Sequence, residues 1–206
     1  MRTLVWRLWC YGDSSPEPTF RRDLGNSRSR SGFSWFEVSA VSEKPMETSM
    51  LSIRPATVDD VPLLRRLIQE LAEYEREPQA VRFTEAELRR DGFGPDPRFR
   101  AILAEHDGQP AGYALFFPSY SSWTGCGLFL EDLFVREPFR GQGVGKALLS
   151  QVAEVARRES CPTIRMDVLD WNESAIQFYK SIGAEYLPQW RNVVIGTEAV
   201  VLLARG

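Results

Sequence analysis

Glu131-Asp132-Leu133-Phe134-Val135, followed at once by Arg140-Gly141-Gln142-Gly143-Val144-Gly145-Lys146-Ala147-Leu148-Leu149, decides the reading of this chain. An apolar strand runs into three alternating glycines and then into an amphipathic helix. Glycine allows positive φ and close approach of the backbone to a ligand. The first amides of a helix lack intrahelical acceptors, and the helix dipole favours an anion beside them. The stretch therefore reads as a pyrophosphate cradle. The dinucleotide fingerprint Gly-x-Gly-x-x-Gly is excluded because the third glycine comes one residue early. The Walker loop is excluded because Arg140 stands where its first glycine belongs and Ala147 where Ser or Thr would bind magnesium. A phosphoryl transferase loses its support with them.

A second segment downstream is Asp170-Trp171-Asn172-Glu173-Ser174-Ala175-Ile176-Gln177-Phe178-Tyr179-Lys180-Ser181-Ile182-Gly183-Ala184. Upstream stand Ile53-Arg54-Pro55-Ala56-Thr57, Glu70-Leu71-Ala72-Glu73-Tyr74-Glu75 and Asp91-Gly92-Phe93-Gly94. The Arg-x-x-Gly-x-Gly spelling at Arg140, Gly143 and Gly145 resembles the acetyl-CoA loop of the GNAT acetyltransferase superfamily. The order of the other segments is similar to the diamine (spermidine/spermine) acetyltransferase-like group. The resemblance spans roughly residues 50 to 204.

Composition sets bounds. The 206 residues are enough for one domain with a substantial core. A net charge of −3 gives no basic footprint for nucleic acid. Cys10, Cys126 and Cys161 are an odd number without metal-ligand spacing, which points to a reducing, cytoplasmic setting. One histidine, His106, builds no His-based metal site, so no metal is expected. No apolar run approaches the ~20 residues of a membrane span.

Residues 1–49 lack a sustained period and are rich in Ser, Arg, Gly and Pro. They read as a poorly ordered extension, or as the product of a start codon placed too far upstream, with Met46 or Met50 as the true start. Residues 50–206 form the expected domain. Leu51 to Arg54 reads as a strand. Asp59-Asp60 caps a helix with Pro62 in its first turn and a stripe of Val61, Leu64, Leu67, Ile68 and Leu71. Thr84 and Glu87 form a capping box for a second helix. Strands are expected at Phe99–Glu105, Ala111–Phe117, Gly127–Val135 and Thr163–Leu169. Val144, Leu148, Val152 and Val155 stripe the loop helix. Asn172 caps a helix ending near Gly183. Two last strands are expected, near Asn192–Gly196 and Ala199–Ala204. The result is an α/β (mixed α+β) fold, a twisted mixed sheet of about seven strands flanked by about four helices, in the GNAT order.

Acyl transfer to an amine sets three tasks. The donor falls to the loop: Gly141, Gln142, Gly143, Val144 and Gly145 supply backbone, and Arg140 supplies charge. The resemblance implies that Leu133, Phe134 and Val135 bind the pantetheine arm through their backbones, and that Asn172 and Ser174 lie at the cofactor. The amine needs a proton acceptor, because an alkyl ammonium has a pKa near ~10.4. Glu131, an acid in an apolar strand, is the candidate; burial there would raise its pKa, and strand alternation sends Asp132 to the opposite face. The resembled enzymes have a glutamate here. Tyr179 falls two helical turns after Asn172 and can donate to the departing thiolate. Tyr74 and Glu75 match a pair that lines the polyamine site in the resembled group, and Asp167 adds a carboxylate. Arg165 departs from that group's pattern, so a lysine-like ω-amine stays open beside a diamine or polyamine.

The expected activity is acetyl transfer from acetyl-CoA to a small primary amine by direct attack. A peptide or protein N-acetyltransferase, or a non-catalytic acyl-CoA-binding regulatory module, are the alternatives. Cys126 is the one cysteine that could form an acyl-enzyme. The resemblance implies a homodimer with paired or exchanged C-terminal strands.

Overall fold

The computed structural model describes residues 50–205. The expected extension, 1–49, lies outside them. Five strands form one sheet in the order β1-β2-β3-β4-β5: Leu51–Pro55, Arg100–His106, Gln109–Ser121, Gly125–Val135 and Ile164–Met166. The first three pairings are antiparallel and β4 with β5 is parallel. The helices are α1 (Val61–Tyr74), α2 (Glu85–Phe93), α3 (Val144–Arg158), α4 (Glu173–Ser181) and α5 (Thr197–Arg205).

The local signals act as read, with one shift. Val58–Asp60 is a 3-10 turn ahead of α1, opened by Thr57; Asp60 holds the expected N-cap position of α1, but its side chain makes no capping bond there. Asp60 binds the Thr57 amide and hydroxyl and is chelated by Arg54, at 2.7 and 2.8 Å. Thr84 caps α2 with Glu87 as a capping box. The β2–β3 hairpin turns at Asp107 and Gly108, both with positive φ, the type I′ geometry that suits twisted strands. Gly183, at φ 83°, ends α4. There the Ala184 amide reaches Tyr179 O and the Gly183 amide reaches Lys180 O, a Schellman closure.

The sheet has a core on each face. One holds Phe116, Leu128, Leu130, Val144, Leu148, Val152 and Tyr179, under α3 and α4. The other holds Val61, Leu64, Leu67, Tyr113, Leu115 and Phe134, under α1 and α2. Fully burying one Leu or Val side chain stabilises by about 1.5–3 kcal/mol.

Two expectations need correction. The Thr163–Leu169 strand shrinks to Ile164–Met166, because β5 leaves β4 after the Leu130↔Met166 pair. The two last strands do not form; Thr197–Arg205 is helix and buries none of its side chains. Ala199-Val200-Val201-Leu202-Leu203-Ala204 is a continuous apolar run, which periodicity cannot assign to strand or helix. Among the described residues the sheet thus has five strands and the fold five α-helices.

Candidate active site

β4 carries a bulge that organises the site. Leu115 of β3 pairs with Asp132, whereas the next residue, Phe116, pairs with Leu130. Glu131 is the extra residue. A bulge re-aims the side chains after it. Before it, Leu128 and Leu130 face the α3 core. After it, Leu133 and Val135 pack on that core, and Phe134 joins the α1 core. The parity of the strand has flipped.

Beyond the bulge β4 and the chain after β5 separate, and a cleft of about 1130 Å³ opens between them. Leu133, Phe134 and Val135 form its β4 wall, and Arg140, Gly141, Gly143, Val144 and Gly145 its loop end. Asn172, Ser174 and Tyr179 come from α4, and Tyr74, Glu75, Glu131 and Asp167 complete the expected set. Gln142 alone among the expected residues is not on the lining; its amide donates to Pro138 O at 2.8 Å and braces the loop from outside. Cys126 and Arg165 are also away from the lining.

The loop has the form the cradle requires. Gly141 and Gly143 have φ of 74° and 82°, and a Cβ on either would meet no atom within 4 Å. Gly143 begins α3 without a capping side chain, and the first helical bond runs from Ala147 N to Gly143 O. The amides of Val144, Gly145 and Lys146 precede that bond, and these three residues line the cleft. Lys146, which the sequence reading passed over, adds a cation. Arg140 donates to Val135 O at 2.9 Å and lies over the Tyr74 ring at 4.6 Å. These groups fit a pyrophosphate.

The acidic wall departs from the sequence reading. Glu131 was expected to be the buried carboxyl, with Asp132 on the far face. Both line the cleft, and Glu131 is the exposed one. The bulge is the reason. Asp132 is partly buried, and its Oδ2 accepts from Tyr113 Oη at 2.9 Å. Burial pushes its carboxyl up to about 6; Tyr113 opposes the rise, and Glu131 and Glu75 add to it. Tyr113 is fully buried behind the wall. Sequence reasoning missed Asp132 and Tyr113 because only the pairing of β3 with β4 brings them together. Glu75 is partly buried, unlike its exposed neighbours Glu73 and Glu77, and burial raises its pKa.

On the α4 side, Tyr179 is 8% exposed, and burial lifts its phenol to about 12. Asn172 Oδ1 caps α4 by accepting from Ala175 N at 3.2 Å, and takes a further hydrogen bond from Tyr74 Oη at 3.3 Å. Asp167 accepts from Asn192 Nδ2 at 2.7 Å. Among the described residues, no cluster of His, Cys, Asp and Glu is placed to hold a metal ion. No helix there is long and apolar enough to cross a membrane.

Residues 64–184 match the family model described as "Acetyltransferase (GNAT) family". The chain belongs to that family. As a GNAT protein it is an N-acetyltransferase. It is 40% identical over 163 residues to a thialysine N-epsilon-acetyltransferase of Sus scrofa, covering 74% of this chain and 96% of the relative. It is 37% identical over 147 residues to a human spermidine/spermine N(1)-acetyltransferase-like protein 1, covering 67% of this chain and 21% of that longer protein. Among solved structures, an integron cassette protein of V. cholerae shares the fold with a TM-score of 0.64 at 22% identity, covering 76% of this chain and 98% of that one.

Proposed function

We propose that this GNAT enzyme acetylates the terminal primary amine of a small aliphatic molecule carrying a second ammonium, a lysine-like ω-amino acid first and a diamine or polyamine second. The observation that carries this reading is the acidic wall: Glu75, Glu131 and Asp132 line the same cleft as the glycine loop. Such a wall favours a cation and discriminates against an anionic acceptor. The likeness to the thialysine enzyme supports the lysine-like reading.

The co-substrate in this reading is acetyl-CoA, which supplies an activated acetyl thioester. The amides at Val144, Gly145 and Lys146 bind its pyrophosphate, with Arg140 and Lys146 as counter-charges. The backbone of Leu133, Phe134 and Val135 takes the pantetheine arm, and Asn172 and Ser174 border it. Asp132 takes the ammonium proton, directly or through water. With a pKa of about 6 it is mostly ionised at pH 7 yet more basic than an ordinary carboxylate. Glu131 and Glu75 hold the substrate's positive charges, and Asp167 lies farther along the wall. The neutral amine attacks the acyl carbon directly, without an acyl-enzyme. Tyr179 then faces a thiolate of pKa near ~8.5. A phenol lifted to about 12 keeps its own proton, so Tyr179 stabilises the departing sulfur by donating a hydrogen bond.

The reading includes a catalytic unit of residues 50–206, a reducing cytoplasmic setting and a homodimer. Exposed Val193, Val194, Leu202 and Leu203 on and before α5 give a dimer an apolar surface to cover.

The test is acetyl-CoA consumption against thialysine, lysine, ornithine, diamines, a monoamine and a lysine peptide, with wild type and Glu75→Gln. The expected result is turnover of acceptors with two ammonium groups. Glu75→Gln should raise KM for them more than for the monoamine, by about 1–3 kcal/mol in apparent binding. Turnover of the peptide alone would overturn the small-molecule assignment. An equal effect on all amines would remove Glu75 from the substrate site.

A further inference from the structure

Away from the cleft lining, two cysteines converge on one turn at the end of the sheet where β4 begins. Cys126, the second residue of β4, is exposed, and its Sγ donates to Ser160 O at 3.2 Å. Ser160 stands in the left-handed region at φ 56° and closes α3. Its amide reaches Arg157 O and that of Cys161 reaches Ala156 O, a Schellman closure that fixes Cys161 in place. Cys161 is partly buried against the α3 core, and its Sγ donates to Glu159 O at 3.8 Å, one peptide from the Ser160 carbonyl that Cys126 contacts. The backbones are tied as well, by Leu128 N to Thr163 O at 3.0 Å. A disulfide needs Cα atoms about 4.4–6.8 Å apart, and the Cys126 Sγ already lies 3.2 Å from the carbonyl of the residue before Cys161.

We propose that Cys126 and Cys161 are a redox-active dithiol, which a small-molecule disulfide such as oxidised glutathione converts into an intramolecular disulfide at the end of the sheet where β4 begins. The exposed Cys126 thiolate attacks one glutathione sulfur, giving a mixed disulfide and releasing one glutathione thiolate, which takes the Cys126 proton. The Cys161 thiolate then attacks the Cys126 sulfur and expels the second glutathione, which takes the Cys161 proton. Two protein thiols are oxidised by two electrons, and one glutathione disulfide is reduced to two thiols. Burial raises the Cys161 thiol, which suits the resolving role, because attack on a held neighbour needs less thiolate than attack from solution. The product joins the start of β4 to the end of α3, next to the three pairs that hold β4 to β5.

The test uses the full chain with Cys10→Ser, so that two thiols remain. The protein is incubated with oxidised glutathione, denatured, alkylated and weighed intact. The expected result is the loss of two hydrogens, no alkylation, and one peptide pair joining Cys126 to Cys161. Adding Cys126→Ser should abolish the hydrogen loss. Two alkylated thiols, or one glutathione retained on each cysteine, would overturn the proposal, as would a cross-link between chains. The readout is independent of acetyl transfer, so failure of the amine assignment leaves it untouched.

Discussion

Tyr113, fully buried in the α1 core, donates its phenol to Asp132 Oδ2 at 2.9 Å from behind the cleft wall. The contact exists because the bulge at Glu131 turns Asp132 toward Tyr113's side of the sheet. A carboxylate braced in this way is fixed in direction and kept partly out of water. Asp132 therefore stands apart from Glu131, which is exposed on the same wall.

The raised pKa carries a cost in stability. Folding lifts the Asp132 pKa from 3.8 to about 6, so the native state holds the proton more tightly than the unfolded chain. The penalty is absent below the unfolded value, grows as pH rises, and is complete above about 6. Asp132→Asn keeps an acceptor for Tyr113 and removes the charge. The variant should gain about 1–3 kcal/mol over wild type at pH 8, and that gain should vanish at pH 4. Urea denaturation at the two pH values checks it; an equal difference at both would mean that Asp132 is not ionising in a desolvated site.

Tyr179→Phe keeps the ring in the α3 core and removes the donor. Turnover should fall about 10²–10⁴-fold with acetyl-CoA affinity nearly intact. Single-turnover kinetics would reveal it. A wild-type rate of the chemical step would leave Tyr179 a packing residue.

Gly143 has φ 82°, which an Asp side chain adopts with strain, and its replacement would put a carboxylate at the cradle. Gly143→Asp should lose measurable acetyl-CoA binding in calorimetry while keeping the wild-type circular dichroism spectrum. Retained affinity in the folded variant would move the pyrophosphate elsewhere.

A chain starting at Met50 should fold and keep full activity. Its first residue is already tied to the sheet, through Met50 O to Asp107 N at 3.0 Å, and residues 1–49 carry no core pattern. An insoluble or inactive product would place part of the domain before residue 50.

What the sequence disclosed follows from how local each feature is. The α3 stripe, the Thr84–Glu87 box, Asn172 at the head of α4 and the left-handed Gly183 are each set within one or two turns of chain. The glycine spelling was legible for the same reason. Asp132 was not, because strict alternation sent it away from the cleft and the bulge arises only when β4 pairs with Leu115 and Phe116. The short β5 was hidden as well: Val168 and Leu169 look like strand, but the cleft exists because they part from β4. The run Ala199–Ala204 had no periodicity to tell strand from helix.

The most direct test of the account is the pH dependence of kcat/KM for acetyl transfer to the preferred amine, in wild type and in Tyr113→Phe. For a protonated amine and an ionised Asp132, the wild-type rate should fall on the acid side with an apparent pKa near 6. The Tyr113 hydrogen bond lowers the Asp132 pKa, so its removal should move that limb upward. A conserved limb in Tyr113→Phe, or a wild-type rate that rises only with the free-base fraction of the amine, would contradict Asp132 as the proton acceptor.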